Sequence, residues 1–247
     1  MFKQVTVDTG RRALLGAAGA LTLQGLLPVQ AAWGKTAVGA KLKIGIVGSG
    51  HIGGTVGSLW VKAGHEVLFS SRHPQQLQGL VQSLGPLAQA GEVGQAIGFG
   101  EVIFLAVPYG ALPQIGKDYG RLLAGKTVLD AGNAMAKRDG PIADEAEHAG
   151  IGITSQKYLP GTHLVRTFNS INYKVLESEA HRRAPRLAVP IAGDDRHALQ
   201  TAAGLVHEAG FDPVVVGKLA DAKLFQFGGP GFGQMTAAEM KQKLSLK

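Results

Sequence analysis

The sequence predicts an α/β chain built on a doubly wound, mostly parallel sheet, and three observations carry that expectation. Short apolar runs alternate with helix-compatible stretches across residues 43–216. One run, Val102-Ile103-Phe104-Leu105-Ala106-Val107, is continuously apolar, as suits a strand covered on both faces of a parallel sheet. The third is a turn: Lys43-Ile44-Gly45-Ile46-Val47 runs into Gly48-Ser49-Gly50-His51-Ile52-Gly53-Gly54, where Gly48, Gly50 and Gly53 fit G-x-G-x-x-G. That pattern is weak by itself in a chain with 36 glycines. Its place between a strand-like run at 44–47 and a helix-compatible stretch at 52–63 makes it specific.

The spacing has a physical reason. The first glycine permits the tight turn, the second lets a pyrophosphate reach the backbone, and the third lets helix and strand pack closely. Free amides at the helix start then face the phosphates. These residues predict a Rossmann-type dinucleotide site. Gly64 and His65 stop the first helix, and residues 66–71 read as the second strand, ending in Ser71-Arg72-His73-Pro74. An NAD-preferring site places a carboxylate near this point, about 20 residues beyond the turn. Here Ser71 and Arg72 stand in its place. Hydroxyl and guanidinium donors suit a 2′-phosphate and a carboxylate would repel it, so the expected cofactor is NADP(H).

Further along, residues 74–84 and 92–97 are expected as helices, 101–108 as a strand, and a helical stretch to residue 123 precedes a strand over 126–133. A helix is expected at 142–149, strands at 163–169 and 187–193, a helix at 195–209 with Asp194 as its cap, and a last strand at 211–216. The tail mixes aromatics with glycine, Leu224-Phe225-Gln226-Phe227-Gly228-Gly229-Pro230-Gly231-Phe232-Gly233, before a terminal helix near 235–244. Its phenylalanines are open to three roles: lining a substrate pocket, packing on another subunit, or covering the core.

Composition narrows the classes. With 45% hydrophobic and 17% charged residues the chain is globular rather than disordered. The net charge is +7, but residues 1–31 hold three of the 25 basic and one of the 18 acidic residues, which leaves +5 without any dense Lys/Arg run. Nucleic acid is therefore not an expected partner. Absence of cysteine removes disulfides, thiolate metal sites and cysteine nucleophiles. The eight histidines show no metal-ligand spacing, so no metal is expected.

Three catalytic motifs fail on context. Gly120-Arg121-Leu122-Leu123-Ala124-Gly125-Lys126-Thr127 satisfies the phosphate-loop pattern, yet a helical stretch precedes it and a strand follows, the reverse of what that loop requires. No tyrosine has a lysine four residues on, and no G-x-S-x-G occurs. The catalytic residues stay unknown at this level.

The amino terminus reads as a leader. Arg11-Arg12 stands before an uncharged stretch over 13–27, Pro28 breaks it, and Val29-Gln30-Ala31 supplies small residues of a cleavage site. The stretch is shorter than the ~20 residues that a membrane span needs. The expected organisation is a twin-arginine-type signal peptide at 1–31, a linker at 32–41, an NADP-binding domain with its substrate-side elements at 42–217, and a Phe/Gly-rich tail with a helix at 218–247. A periplasmic or otherwise exported location, the twin-arginine export machinery as a partner and no membrane span after cleavage follow from that reading. An uncleaved anchor and a structured helix are the alternatives.

The motifs, taken in order, resemble the family of NADPH-dependent reductases of the deazaflavin coenzyme F-420. The matching stretches are 44–54, Ala63-Gly64-His65-Glu66-Val67, Ser70-Ser71-Arg72-His73-Pro74, Leu105-Ala106-Val107-Pro108-Tyr109-Gly110 and Leu129-Asp130-Ala131-Gly132-Asn133, followed by Val165-Arg166-Thr167-Phe168-Asn169, Ile191-Ala192-Gly193-Asp194-Asp195 and Ala209-Gly210-Phe211-Asp212. The resemblance implies that Gly48, Ser49, Gly50, His51, Ile52 and Gly53 form the pyrophosphate turn and that Ser71 and Arg72 hold the 2′-phosphate. It implies that Val107, Pro108 and Asn133 border the nicotinamide. A flavin or deazaflavin co-substrate, a small-molecule redox acceptor and hydride exchange between two stacked rings are also implied, and a homodimer is open. Two other readings stand beside this one: a dinucleotide-binding module without turnover, serving as sensor or accessory subunit, and a ferric or quinone reductase working through a bound flavin.

Overall fold

The structure is a computed structural model that describes residues 41–246. The leader and most of the linker expected at 1–41 lie outside the described residues. The first helix, α1 (His51–Lys62), follows strand β1 (Lys43–Val47) directly. β2 (Glu66–Ser70) comes next, then a 3-10 turn over Pro74–Leu77 that leads into α2 (Gln78–Leu84). A short strand β3 (Ala88–Gly91) precedes α3 (Val93–Phe99), whose start is closed by a capping box between Glu92 and Gln95. β4 (Val102–Leu105), α4 (Leu112–Leu123) and β5 (Thr127–Asp130) follow in order. Then come α5 (Ala136–Asp139), α6 (Pro141–Ala149), α7 (Ile151–Tyr158) and β6 (His163–Arg166). The chain ends with α8 (Tyr173–Glu179), β7 (Ala188–Gly193), α9 (Arg196–Glu208), β8 (Asp212–Gly217), a 3-10 segment over Leu219–Phe225 and α10 (Ala237–Lys243).

These strands form one eight-stranded sheet in the order β3-β2-β1-β4-β5-β6-β7-β8. Six of its pairings are parallel, and β6 with β7 is antiparallel. Alternation along each strand divides the core. Ile44, Ile46, Val102, Phe104 and Leu129 face the layer that includes α1 and α9, whereas Val47, Ile103, Leu105 and Val128 face α3, α4 and α6. Trp60, Phe104 and Phe168 meet edge to face at the heart of the first layer, with centroids 5.1–5.8 Å apart. The Trp60 indole N–H donates to the Leu205 carbonyl at 2.9 Å, so a large ring is buried without an orphaned donor.

Several elements differ from the sequence expectation. β3, α7 and α8 are not anticipated by pattern, because they are short and lack a clean apolar period. Asp195, not Asp194, caps α9, accepting from the Ala198 N–H at 2.7 Å, while Asp194 accepts from Leu219 N–H at 3.2 Å. The reversed phosphate-loop pattern behaves as its context required, with α4 before it and β5 after it. The tail divides: Phe225 is fully buried in the second core layer, and Phe227 stands 63% exposed. Among the described residues no helix is long and apolar enough to cross a membrane, and no group of three or more acidic or histidine side chains is placed to hold a metal.

Candidate nucleotide site and acceptor-side crevice

The site begins where the sheet order reverses. β1 has β2 on one side and β4 on the other, so the connections leave the carboxyl ends of β1 and β4 in opposite directions and open a crevice between them. The glycine turn crosses this crevice. Gly48 has φ +92°, and a methyl there would stand 2.7 Å from the Ala106 carbonyl oxygen. At Gly53 a methyl would stand 2.1 Å from the Gly48 carbonyl oxygen, so only glycine lets α1 start this close to β1. Above Gly50 the space is open for at least 4 Å. That is the position where a phosphate must reach the backbone.

The start of α1 is prepared for an anion. Gly50 is its N-cap and gives no side-chain cap, and no acidic residue lies in the first turn. The first amides of a twelve-residue helix thus face the crevice unpartnered by side chains. The Ser49 hydroxyl is buried and has no partner among the described residues. Ile52 follows as a half-buried residue that packs against the core. The residues of the turn fit a dinucleotide pyrophosphate.

Ser71 and Arg72 follow the end of β2, beside the turn, because Ser70 pairs in register with Val47. Arg72 is exposed, and no described carboxylate pairs with it. Ser71 accepts from the His73 N–H at 2.8 Å, which shapes the strand end. Val107 and Pro108 follow β4, whose Leu105 lies opposite Val47, and Asn133 follows β5, whose Asp130 lies opposite Leu105. All the residues expected at the site therefore share the carboxyl edge of the sheet.

His51 has a partner that the sequence does not indicate. Its ring lies flat on Tyr173 of α8, with centroids 4.2 Å apart and planes 11° apart. Both line a cavity of about 770 Å³ that runs from Ser49 along α1 towards Lys62. This cavity lies on the helix side of the turn and does not include Arg72, Val107, Pro108 or Asn133. His51 is thus a neighbour of the phosphate turn rather than of the β4 and β5 ends. Tyr173 carries no sequence signal for this role, since its partner is 122 residues away.

The β5 and β6 ends form a second, side-chain-built region that the motifs did not reveal. Asp130 and Arg166 are register neighbours, 1% and 0% exposed, and their carboxylate and guanidinium form an ion pair. Asp130 Oδ1 accepts from the Gly132 N–H at 2.8 Å, while Arg166 Nη2 donates to the Gly132 carbonyl. Removing such charges from water costs several kcal/mol per ion, so a pair of this kind is weak as a source of stability. Asn133 is held at three atoms. Its amide donates to Asn169 O at 2.7 Å, its side-chain oxygen accepts from Asn169 Nδ2 at 3.1 Å, and its carbonyl accepts from Arg138 Nη2 at 2.6 Å. Asn169 Nδ2 also donates to the Phe225 carbonyl at 2.9 Å, which ties the tail to the crevice.

Backbone strain marks the same place. Phe168 has φ +55°, a left-handed value that costs a bulky residue about 1–3 kcal/mol. Its ring packs edge to face with Trp60 and Phe104, which holds the residue there and directs Asn169 towards Asn133. At the rim, Asp139 accepts from the N–H groups of Gly110 and Met135 at 3.0 and 2.8 Å, joining the β4 turn to the β5 loop. Burial would raise its carboxyl, but hydrogen bonds from Arg138, Gly110 and Met135 outweigh that and hold it below the ordinary carboxylate value. Beneath the loop, burial pushes the Tyr109 phenol well above its ordinary value, and the Asp130 charge adds to the shift. Neutral Tyr109 donates to the Ile151 carbonyl at 2.8 Å and acts as a strut.

Comparison with known proteins agrees with this architecture. The sequence profile of the family described as NADP oxidoreductase, coenzyme F-420-dependent, matches residues 43–134, from β1 to just beyond Asn133. Metalloreductase STEAP3 of Rattus norvegicus is 31% identical over 188 residues, covering 73% of this chain and 35% of that protein, so the chain spans about a third of this relative's length. A hypothetical protein of Sinorhizobium meliloti is structurally similar, with a TM-score of 0.68 and 26% identity over 80% of this chain and 96% of that one. A candidate F-420-dependent NADP reductase of an Arthrobacter species shares the fold, with a TM-score of 0.63 at 21% identity over 73% of this chain and 87% of that one. Residues 43–134, the nucleotide-binding portion of the chain, are thus similar to the coenzyme F-420-dependent NADP oxidoreductase family.

Proposed function

We propose that the protein is an NADP(H)-dependent oxidoreductase that moves hydride between nicotinamide and a flavin-like or deazaflavin-like acceptor. The observation that carries this reading is the uncapped, glycine-shaped start of α1 at the switch point, with Arg72 free beside it. In this assignment the backbone of Ser49, Gly50, His51 and Ile52 faces the pyrophosphate and Gly48 and Gly53 shape the turn. Ser71 and Arg72 take the 2′-phosphate. Val107, Pro108 and Asn133 border the nicotinamide, which supplies the hydride chemistry when bound. The chain's own part is to hold two flat rings in register and keep water out, and positioning of that kind supplies much of the acceleration in such reactions.

The test is direct. Purified protein is mixed with NADPH, and the nicotinamide absorbance is followed with F-420, FMN and FAD in turn. Oxidation with one of them is the expected result, whereas tight NADPH binding with no oxidation by any acceptor would favour the binding module. Arg72→Ala is expected to weaken NADPH about 10- to 100-fold and leave NADH nearly unchanged, as loss of one charge-assisted contact implies. Equal affinities of parent and variant for NADPH would sink the 2′-phosphate assignment.

A second reading is favoured by the likeness to a metalloreductase: a bound flavin passes electrons onward to ferric ion. Ferric chelate reduction that requires both NADPH and added flavin would select it. The twin-arginine-type leader further supports action outside the cytoplasm, which fractionation of cells expressing the native chain tests. Sedimentation of the purified protein tests the homodimer.

A further inference from the structure

We propose that the buried Asp130–Arg166 pair is a positioning device: it fixes Gly132 through the N–H of one peptide and the carbonyl of the next, and so sets Asn133 in place at the nicotinamide end of the site. The proposal rests on the NADP(H) assignment above and deepens it, since it names groups that act on that end without touching it.

Three features converge. The two strand ends meet in register, so both charged side chains stand on the same face of adjacent strands. The guanidinium forms its ion pair at Asp130 Oδ2 and donates to the Gly132 carbonyl, while the other carboxylate oxygen takes the Gly132 N–H at 2.8 Å. Gly132 is therefore gripped on both sides, by the carboxylate at the N–H of the peptide before it and by the guanidinium at the carbonyl of the peptide after it, and a planar fork meets the carboxylate and that carbonyl together where a flexible ammonium would not. The fit leaves no slack: a methyl on Gly132 would approach Asp130 Oδ1 and the Tyr109 ring at 3.1 Å.

The grip is passed on by one residue. Asn133, next in the chain, has its side-chain oxygen, its amide and its carbonyl all engaged, so with Gly132 fixed it has one orientation. Buried ion pairs of this type are often replaceable by apolar side chains without loss of stability, so a stabilising role accounts poorly for the pair, and a geometric one accounts for its contacts. Asp130 and Arg166 are positioning residues, and neither is placed to contact a nucleotide.

The test uses the full chain and two probes. Adenosine 2′,5′-bisphosphate carries the 2′-phosphate and lacks nicotinamide, and NADPH carries both. In the double variant Asp130→Leu with Arg166→Met the bisphosphate is expected to bind within about twofold of the parent. NADPH is expected to weaken about tenfold in the folded variant. Should the double variant fail to fold, Arg166→Lys keeps the charge but not the fork and is expected to show the same selective loss, about threefold to tenfold. Unchanged affinity for both probes in a folded variant overturns the proposal, and so does equal weakening of both. If the parent binds neither probe, the cofactor assignment falls, and the proposal with it. A parent that binds both separates the two failures.

Discussion

The two sides of the crevice are made of different material. On the β1–β2 side the site is backbone: a glycine turn, the amides of α1 and a strand end, all within 25 residues of chain. On the β5–β6 side it is a net of side chains. Arg166 reaches Gly132 across 34 residues, Asn133 reaches Asn169 across 36, and Asn169 reaches Phe225 across 56. The glycine turn itself asks only that its space stay empty, and side chains enter the proposed assignment on this side only at Ser71 and Arg72. The second tolerates little change of partner, because Asp130, Arg166 and Asn169 are buried and each is bonded to another part of the network. Geometry held by backbone is sensitive to a methyl group, and geometry held by a network is sensitive to a lost charge.

Three substitutions test that contrast. The largest expected effect is on the network side. Arg166→Met alone leaves the Asp130 carboxylate buried without its counter-charge, which costs about 3–5 kcal/mol, read from urea unfolding. A loss below about 1 kcal/mol would show that the pair is solvated and the contrast false. On the backbone side, Gly53→Ala is expected to cost about 3 kcal/mol and to abolish NADPH binding, because its methyl meets the Gly48 carbonyl at 2.1 Å. Its neighbour is the control: Gly54→Ala places a methyl 3.7 Å from Ser49 O, an ordinary contact, and should be neutral or stabilising through helix propensity. Equal effects at both positions would remove the argument from close approach.

Apart from that control, the smallest effect is at the rim that joins the two sides. The Asp139 carboxyl is held below its ordinary value, so its contribution is complete above the unfolded carboxyl pKa and fades as pH falls through the lower folded value. Asp139→Asn should therefore cost at most about 1 kcal/mol near neutrality, after solvent screening. The difference from the parent should begin to shrink below about pH 4 and vanish only once the folded carboxyl is itself protonated. A melting-temperature gap that persists or widens in acid would contradict the assignment of those hydrogen bonds to the charged form.

The alternating sheet and the glycine turn were legible in the sequence, and so was the edge of the sheet where the nucleotide is proposed to lie. Those features follow from local rules: apolar runs of strand length, glycines at fixed offsets, and Arg72 where a carboxylate would otherwise stand. The sequence also placed Val107, Pro108 and Asn133 at strand ends on one edge, which the parallel registers bear out. The antiparallel β7, the true cap of α9 and the split fate of Phe225 and Phe227 were beyond it, since each depends on what a segment packs against. Asp130, Arg166 and Asn169 were readable only as polar residues at the ends of apolar strands. Only the tertiary structure decided that they meet, because register between β5 and β6 brings together residues whose sequence positions share no period.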